Sequence, residues 1–157
     1  MSSQEFLHNQ KEMEEKIKYS LEKNSKIHSI GVIPLLKPQF IGCSYEEKTL
    51  TIAFDVEEWE LNPEMTMHGG LITTAFDTVF GLMSHYFADK HFVTTVNIGV
   101  TFLKPVLLHD KLIITVKTTS RGRTLISLTA EGYLERENLL AATATTTFMI
   151  LNKEFDS

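Results

Sequence analysis

Asp77 is a residue whose setting in the sequence suggests catalytic chemistry. It is the only carboxylate between Glu64 and Asp89, and it lies in a segment with apolar residues on nearly every helical face. An unpaired carboxylate is costly to bury, so Asp77 needs hydrogen-bond partners or a pocket. A carboxylate in such a pocket is a candidate general base or nucleophile. Alternatively, it is a buried structural residue that accepts from backbone or hydroxyl groups, such as those of Thr73 or Thr74.

A second candidate feature is the run MHGG at residues 67–70, directly before this segment. Two glycines, Gly69 and Gly70, leave the free N–H groups of a helix start accessible, where the helix dipole favours negative charge. Such N–H groups can stabilise an oxyanion, although Gly-Gly also serves tight packing. His68 could act as a base or simply hydrogen-bond the loop. Asn62 could donate to a carbonyl or hold a water, or it could form the turn that Asn-Pro is typical of.

The run Arg121-Gly122-Arg123-Thr124 is a third candidate, because it places two guanidinium groups and a hydroxyl on one short loop. Arginine forks suit phosphate oxygens, although a solvated hairpin tip has the same composition. The sequence contains no Gly-rich P-loop, no G-x-S-x-G elbow and no His/Cys set with metal-ligand spacing. We therefore expect no metal.

The N-terminal part of the chain is predicted to form one surface helix and a connector. Residues 4–23 carry an apolar stripe while charged residues cover the other faces, which is typical of an amphipathic helix. The stripe consists of Phe6, Met13, Ile17 and Leu21. Pro34 and Pro38 lie in the following stretch, which is predicted not to continue a helix.

The rest of the chain is predicted to form a sheet around one buried helix at residues 69–88. Six segments rich in β-branched and aromatic residues predict strands: Gln39–Glu46, Lys48–Val56, His91–Leu103, Lys111–Ser120, Thr124–Arg136 and Leu139–Leu151. These elements predict an α+β fold with about six mainly antiparallel strands wrapped around one long central helix. We expect a single domain over residues 1–157, with the helix and connector at 1–35 and the core at 36–152.

Composition narrows the classes of function. With 157 residues, 43% hydrophobic and 22% charged, the chain can form one packed domain. Its net charge of −5 argues against general nucleic-acid binding. The single cysteine, Cys43, is typical of a reducing compartment. Because neither an apolar leader nor a run of about 18 apolar residues is present, we expect a cytoplasmic protein without membrane contact.

The combination of these candidates resembles the active-site helix of the hot-dog thioesterases, and most closely their phenylacetate-pathway (PaaI-type) branch. The pattern of that branch is an Asn, then His-Gly-Gly, then an Asp, as at Asn62, 68–70 and Asp77. The resemblance runs from about Leu61 to Leu151. It includes Thr95, the strand end FLKP at 102–105 and the loop GRT at 122–124.

The resemblance implies a role for each position. Asp77 matches the catalytic carboxylate, as general base or nucleophile, and Gly69 matches the glycine whose N–H polarises the thioester carbonyl. Asn62 matches a side chain that holds the carbonyl or the attacking water, and Thr95 lies near that water. The implied catalytic residues are Asp77, Gly69, Asn62, Thr95 and His68. The implied substrate-binding and CoA-binding residues are Gly70, Arg121, Gly122, Arg123, Thr124, Lys104 and Phe80.

The implied activity is hydrolysis of an acyl-coenzyme A to the free acid and CoA, with no cofactor because CoA is part of the substrate. Gly69 and Asp77 lie about 12 Å apart along a helix, too far to contact one thioester. We therefore expect a homodimer that shares its sites between chains and doubles to a homotetramer. Two alternatives stay open: a hot-dog hydratase or dehydratase that uses His68, and a non-catalytic acyl-CoA-binding sensor.

Overall fold

The structure of the protein is a computed structural model that describes residues 2–26 and 30–154. Residues 27–29 of the predicted connector lie outside the described residues. These described residues contain three α-helices, α1 (Ser3–Lys26), α2 (Val32–Leu36) and α3 (Gly69–Ala88). They also contain six strands, β1 (Gln39–Ser44), β2 (Thr49–Asp55), β3 (His91–Phe102), β4 (Lys111–Arg121), β5 (Leu125–Leu134) and β6 (Leu139–Glu154).

All six strands form one antiparallel sheet with the order β1-β2-β4-β5-β6-β3. The strand that follows α3 therefore crosses to the far edge, where β3 pairs only with β6. The long helix packs against the inner face of this sheet and contributes fully buried side chains such as Phe76, Val79 and Met83. This is the predicted α+β architecture of a sheet wrapped around one central helix.

Helix α1 packs by the predicted stripe. Met13, Ile17 and Leu21 are buried, whereas Phe6 is half-buried. The helix is also tied to the start of the sheet by Gln10, whose side-chain amide donates to the Cys43 carbonyl (2.9 Å) and accepts from the Tyr45 N–H (2.7 Å). None of the helices in the described part of the chain is long and apolar enough to cross a membrane.

The stretch around Pro34 differs from the prediction, because it contains the short helix α2. Pro34 is the third residue of this helix, and the first-turn N–H groups of a helix have no intrahelical acceptor. A proline there removes no helical hydrogen bond and is tolerated.

Strand β3 leaves one edge of the sheet open within this chain. It is 12 residues long, and many of its side chains are exposed, including the apolar Val96 and Phe102. A bulge between Thr95 and Asn97 shifts its register against β6. A long edge strand with exposed apolar residues is suited to pairing with another strand.

Candidate active site

The start of α3 is held by the loop that precedes it. The His68 N–H donates to the Glu60 carbonyl (2.7 Å), and the Met67 N–H donates to the Val106 carbonyl (2.7 Å). The His68 ring then caps the helix, because its Nδ1 accepts from the Gly70 N–H at 2.9 Å. A Cβ atom at Gly70 would lie 3.0 Å from that Nδ1, so this cap favours glycine at position 70.

This cap bears on the two interpretations of His68 that the sequence leaves open. The ring hydrogen-bonds the loop, and its Nδ1 lone pair is occupied by a backbone N–H. A base must offer a free lone pair to the proton that it removes. The arrangement therefore favours the structural role over the predicted catalytic one.

In the first turn of α3, the N–H of Gly69 is the one donor that has no acceptor among the described residues. Gly70 donates to the His68 ring, and both Leu71 and Ile72 donate to the His68 carbonyl, at 2.8 and 3.0 Å. No group in the described ranges accepts from Gly69. A free N–H at the positive end of a 20-residue helix is a donor suited to an oxyanion or a polarised carbonyl.

Beside this N–H lies an open cavity of about 320 Å³. Its walls include Asn62, Gly69, Ile72, Phe102, Lys104 and Val106. Lys104 is the only charged residue among the lining residues. The structure thus brings together three of the predicted site residues, Asn62, Gly69 and Lys104, which lie up to 42 positions apart.

Both ends of the Asn62 side-chain amide make hydrogen bonds within its own loop. Its Nδ2 donates to Thr66 Oγ1 (2.9 Å), and its Oδ1 accepts from the Thr66 N–H (3.0 Å). These hydrogen bonds agree with the interpretation that the Asn62-Pro63 pair forms a turn. Although Asn62 lines the cavity, these contacts leave its amide less available for the predicted role of holding a carbonyl or a water.

Asp77 and Thr95 form a second cluster. Thr95 Oγ1 donates to Asp77 Oδ1 at 2.8 Å, which joins the middle of α3 to the edge strand β3. The hydroxyls of Thr73 and Thr74 instead donate to the Gly69 and Gly70 carbonyls. The predicted structural pairing of Asp77 with these two threonines is therefore wrong.

The structural alternative also expected a buried Asp77, but the side chain is half-buried. The reason is its position over β3, beyond which this chain places no further strand. Within the described residues, Thr95 is the hydrogen-bond partner of the carboxylate, through Oδ1. The other oxygen, Oδ2, is left to a ligand or a water.

The four residues of the loop at 121–124, which were predicted to bind CoA, lie in two different environments. Arg121 Nη2 donates to the Phe87 carbonyl (2.9 Å), and its guanidinium lies 5.1 Å from the centroid of the Phe87 ring. Arg121 therefore caps the C-terminal end of α3. Gly122, Arg123 and Thr124 form the exposed hairpin tip, closed by the Gly122 N–H donating to the Leu125 carbonyl at 2.8 Å.

Phe80 was predicted to contact the substrate, and the structure corrects this. Its ring is fully buried and lies 6.3 Å from the Phe76 ring, centroid to centroid. The helix face that carries Phe80 packs on the sheet, so its side chain belongs to the core. It is not among the residues that line the cavity beside Gly69.

Glu60 was not singled out from the sequence, although it supports the site. Its carboxylate is 1% exposed, with Oε2 accepting from the Glu57 N–H and Oε1 without a partner among the described groups. Burial raises the pKa of this carboxyl above 4.5. Only its position behind the helix start, visible in three dimensions, reveals the role.

Replacing Glu60 with glutamine is expected to stabilise the fold at neutral pH. Because burial raises the folded-state pKa, ionised Glu60 destabilises the folded protein above that pKa and has no such effect below the unfolded value of 4.5. At pH 8, the melting temperature of Glu60→Gln should exceed that of wild type by a few degrees. This corresponds to a gain on the order of 1 kcal/mol in the free energy of unfolding. The difference should shrink as the pH falls towards 4.5.

Thermal unfolding across pH measures this effect, and Glu58→Gln is the matched control because Glu58 is an exposed neighbour. An equal melting temperature of wild type and Glu60→Gln at every pH would contradict the expectation.

The two clusters supply an oxyanion donor and a carboxylate, which suit attack of water on a carbonyl. Within one chain they lie eight residues apart on α3, about 12 Å along the helix axis. Among residues 2–26 and 30–154, no three His, Cys, Asp or Glu side chains come together as metal ligands. That the chemistry needs no metal or other cofactor stays a prediction.

Residues 65–141 match the family model described as the thioesterase superfamily. This segment contains the helix start, Asp77, Thr95, Lys104 and the hairpin tip. No curated protein sequence matches the chain significantly.

Solved structures share the fold over most of the chain. The PaaI protein of the phenylacetic acid degradation operon of E. coli has a TM-score of 0.74 at 15% identity, covering 90% of this chain and 98% of its own. A phenylacetic acid degradation-related protein of Ralstonia eutropha has a TM-score of 0.72 at 23% identity, covering 85% and 98%. A Streptococcus mutans protein bound to acetyl-CoA has a TM-score of 0.69 at 23% identity, covering 83% and 99%.

The chain therefore has the predicted hot-dog fold, and residues 65–141 of it are similar to the thioesterase superfamily. Proteins of phenylacetic acid degradation are among the structures that share its fold.

Proposed function

We propose that this protein hydrolyses acyl-CoA thioesters, with the Gly69 N–H as oxyanion donor and Asp77 as the group that activates water. The observation that carries the proposal is the unsatisfied Gly69 N–H at the start of α3, beside an open cavity. The family match and the Streptococcus mutans structure, which is bound to acetyl-CoA, support the substrate class.

In the proposed reaction, Asp77 Oδ2 removes a proton from water while the oxygen attacks the thioester carbonyl carbon. The carbonyl oxygen becomes an oxyanion that accepts from the Gly69 N–H. Collapse of this intermediate breaks the C–S bond, and the CoA thiolate takes up the proton held by Asp77. Direct attack by Asp77 would form an anhydride that water then hydrolyses to the same products. The Thr95 hydroxyl orients the carboxylate in both cases.

Both groups can contact one thioester only if they come from two chains, because they are about 12 Å apart on one helix. Two copies of α3 arranged antiparallel across a two-fold axis would bring Gly69 of one copy near Asp77 of the other. The open edge of β3, with its exposed Val96, supports pairing along that strand. We propose a homodimer on this basis, with doubling to a tetramer to be distinguished by sedimentation.

Subunit complementation tests the function and the shared site together. Asp77→Asn removes the carboxylate, Gly69→Pro removes the N–H, and each variant alone should be nearly inactive. A hybrid dimer then contains one intact site and one doubly defective site, so an equal mixture refolded together should recover about a quarter of wild-type activity. Release of free thiol from a panel of acyl-CoAs gives the readout.

Absence of recovery in hybrids verified by differential tagging would contradict the shared site. Hydrolysis that depends on Asp77 would also exclude a pure acyl-CoA sensor. The hydratase alternative has less support, because the His68 Nδ1 already caps α3.

Arg123→Ala is expected to raise KM for acyl-CoA severalfold while kcat changes little. Arg123 lies on the exposed hairpin tip, so its guanidinium is available to phosphate oxygens of the nucleotide, far from the scissile bond. Binding that is equal in the ground and transition states affects KM alone. Steady-state kinetics at low and high salt measure the effect, which should weaken with salt. An unchanged KM at low salt would make Lys104 the next candidate for this contact.

A further inference from the structure

Phe102, the last residue of β3, lies end-on against Gly69. A Cβ atom built on Gly69 would be 3.3 Å from Phe102 Cζ and 3.6 Å from each of its two Cε atoms. The equal distances to the two Cε atoms show that the tip of the ring, rather than its face, points at the glycine. The space on that side of Gly69 is therefore filled to van der Waals contact.

The Phe102 ring is not part of the hydrophobic core. It is 52% exposed and lines the cavity together with Gly69 and Ile72. Its backbone is fixed by pairing with Ala142 of β6, so the position of the ring is set by the sheet. A group bound by the Gly69 N–H therefore lies in a cavity that the Phe102 ring also lines.

Building on the proposed function, we propose that Phe102 determines acyl specificity by selecting thioesters whose α-carbon is an unbranched CH₂. A polarised carbonyl oxygen must lie about 3 Å from the Gly69 nitrogen. That position brings the α-carbon to within about 5 Å of the same nitrogen. The ring tip occupies one side of this space, so a CH₂ group fits beside it and an α-methyl branch meets it.

Isomeric substrates that differ only at the α-carbon should be hydrolysed with different efficiencies. One misplaced methyl group in a packed pocket changes kcat/KM by about 10- to 200-fold. We therefore expect wild type to hydrolyse butyryl-CoA at least about 10-fold more efficiently than isobutyryl-CoA. The same order is expected for valeryl-CoA over 2-methylbutyryl-CoA. Each pair has the same atoms and differs only at the α-carbon.

Phe102→Ala tests the residue directly. Removing the ring should reduce the butyryl-to-isobutyryl ratio of kcat/KM to within about threefold, and Phe102→Leu should give an intermediate ratio. Because both substrates are measured on the same sample, a loss of folded protein cancels from the ratio. Leu125→Ala is the matched control, since Leu125 is a similarly exposed apolar residue (45%) that does not line the cavity.

The results separate this inference from the function on which it rests. Equal efficiency of wild type on both isomers would overturn the specificity role while leaving thioester hydrolysis established. A ratio unchanged in both Phe102→Ala and Phe102→Leu would overturn it as well. If Phe102→Ala does not fold, the specificity role is tested by the butyryl-to-isobutyryl ratios of kcat/KM measured for Phe102→Leu and for wild type. Hydrolysis of no acyl-CoA at all would refute the proposed function, and this inference with it.

Discussion

Asp77→Asn is expected to lower kcat for acyl-CoA hydrolysis by about 100-fold or more, the scale of losing a general base. The variant should fold normally, because the asparagine Oδ1 can still accept from the Thr95 hydroxyl as the aspartate does. What it loses is the second carboxylate oxygen, which is free to take a proton from water. Thiol release measures turnover, and thermal unfolding verifies the fold.

Asp89→Asn is the matched control for this variant. Asp89 follows the C-terminal end of the same helix, is exposed, and has a positive φ of 56° that asparagine also tolerates. We expect Asp89→Asn to keep wild-type kcat. Near-normal turnover in Asp77→Asn would contradict the assignment of Asp77 as base or nucleophile.

Gly69→Pro is expected to lower kcat by about 100- to 1,000-fold, as found when one oxyanion donor is removed. Proline lacks the N–H but is favoured at the first position of a helix, which is where Gly69 lies. The preceding residue, His68, already has the extended conformation that a proline requires (φ −59°, ψ 130°). The substitution therefore removes the donor while preserving the backbone.

Gly69→Ala separates the donor from the contact with Phe102. Alanine keeps the N–H but adds a Cβ atom at 3.3 Å from Phe102 Cζ, a contact that the half-exposed ring can relieve by a small shift. We expect Gly69→Ala to retain most of the activity. If alanine and proline reduced kcat equally, the contact with Phe102, rather than the loss of the N–H, would explain both effects.

The fold was largely predictable from local patterns. Helix α3 is apolar on nearly all faces, and the structure buries it inside the sheet, because no solvent-facing position suits such a sequence. The six strands were also predictable from a local pattern, because β-branched and aromatic residues are concentrated in them. Helix α2 was missed because Pro34 is compatible with a first turn, and a local pattern does not show where a helix begins.

The identity of the candidate site was readable from spacing, but the roles of its members were not. For His68 and Asn62 the sequence left two interpretations each, and hydrogen bonds to Gly70 and Thr66 favour the structural one. Arg121 and Arg123 look equivalent in the sequence. Only the packing of Arg121 on Phe87 at the end of α3 separates them.

The sequence by itself determined which chemical groups are present: a lone carboxylate in an apolar helix and the backbone N–H groups of a Gly-Gly helix start. It also determined that enough strands are present to surround that helix. The tertiary structure alone decided which groups meet. Thr95 contacts Asp77 because β3 returns along α3 to the sheet edge, and Phe102 contacts Gly69 because the same strand ends beside the helix start. Such contacts depend on strand order and register, which are set by the packing of the whole sheet rather than by any local pattern.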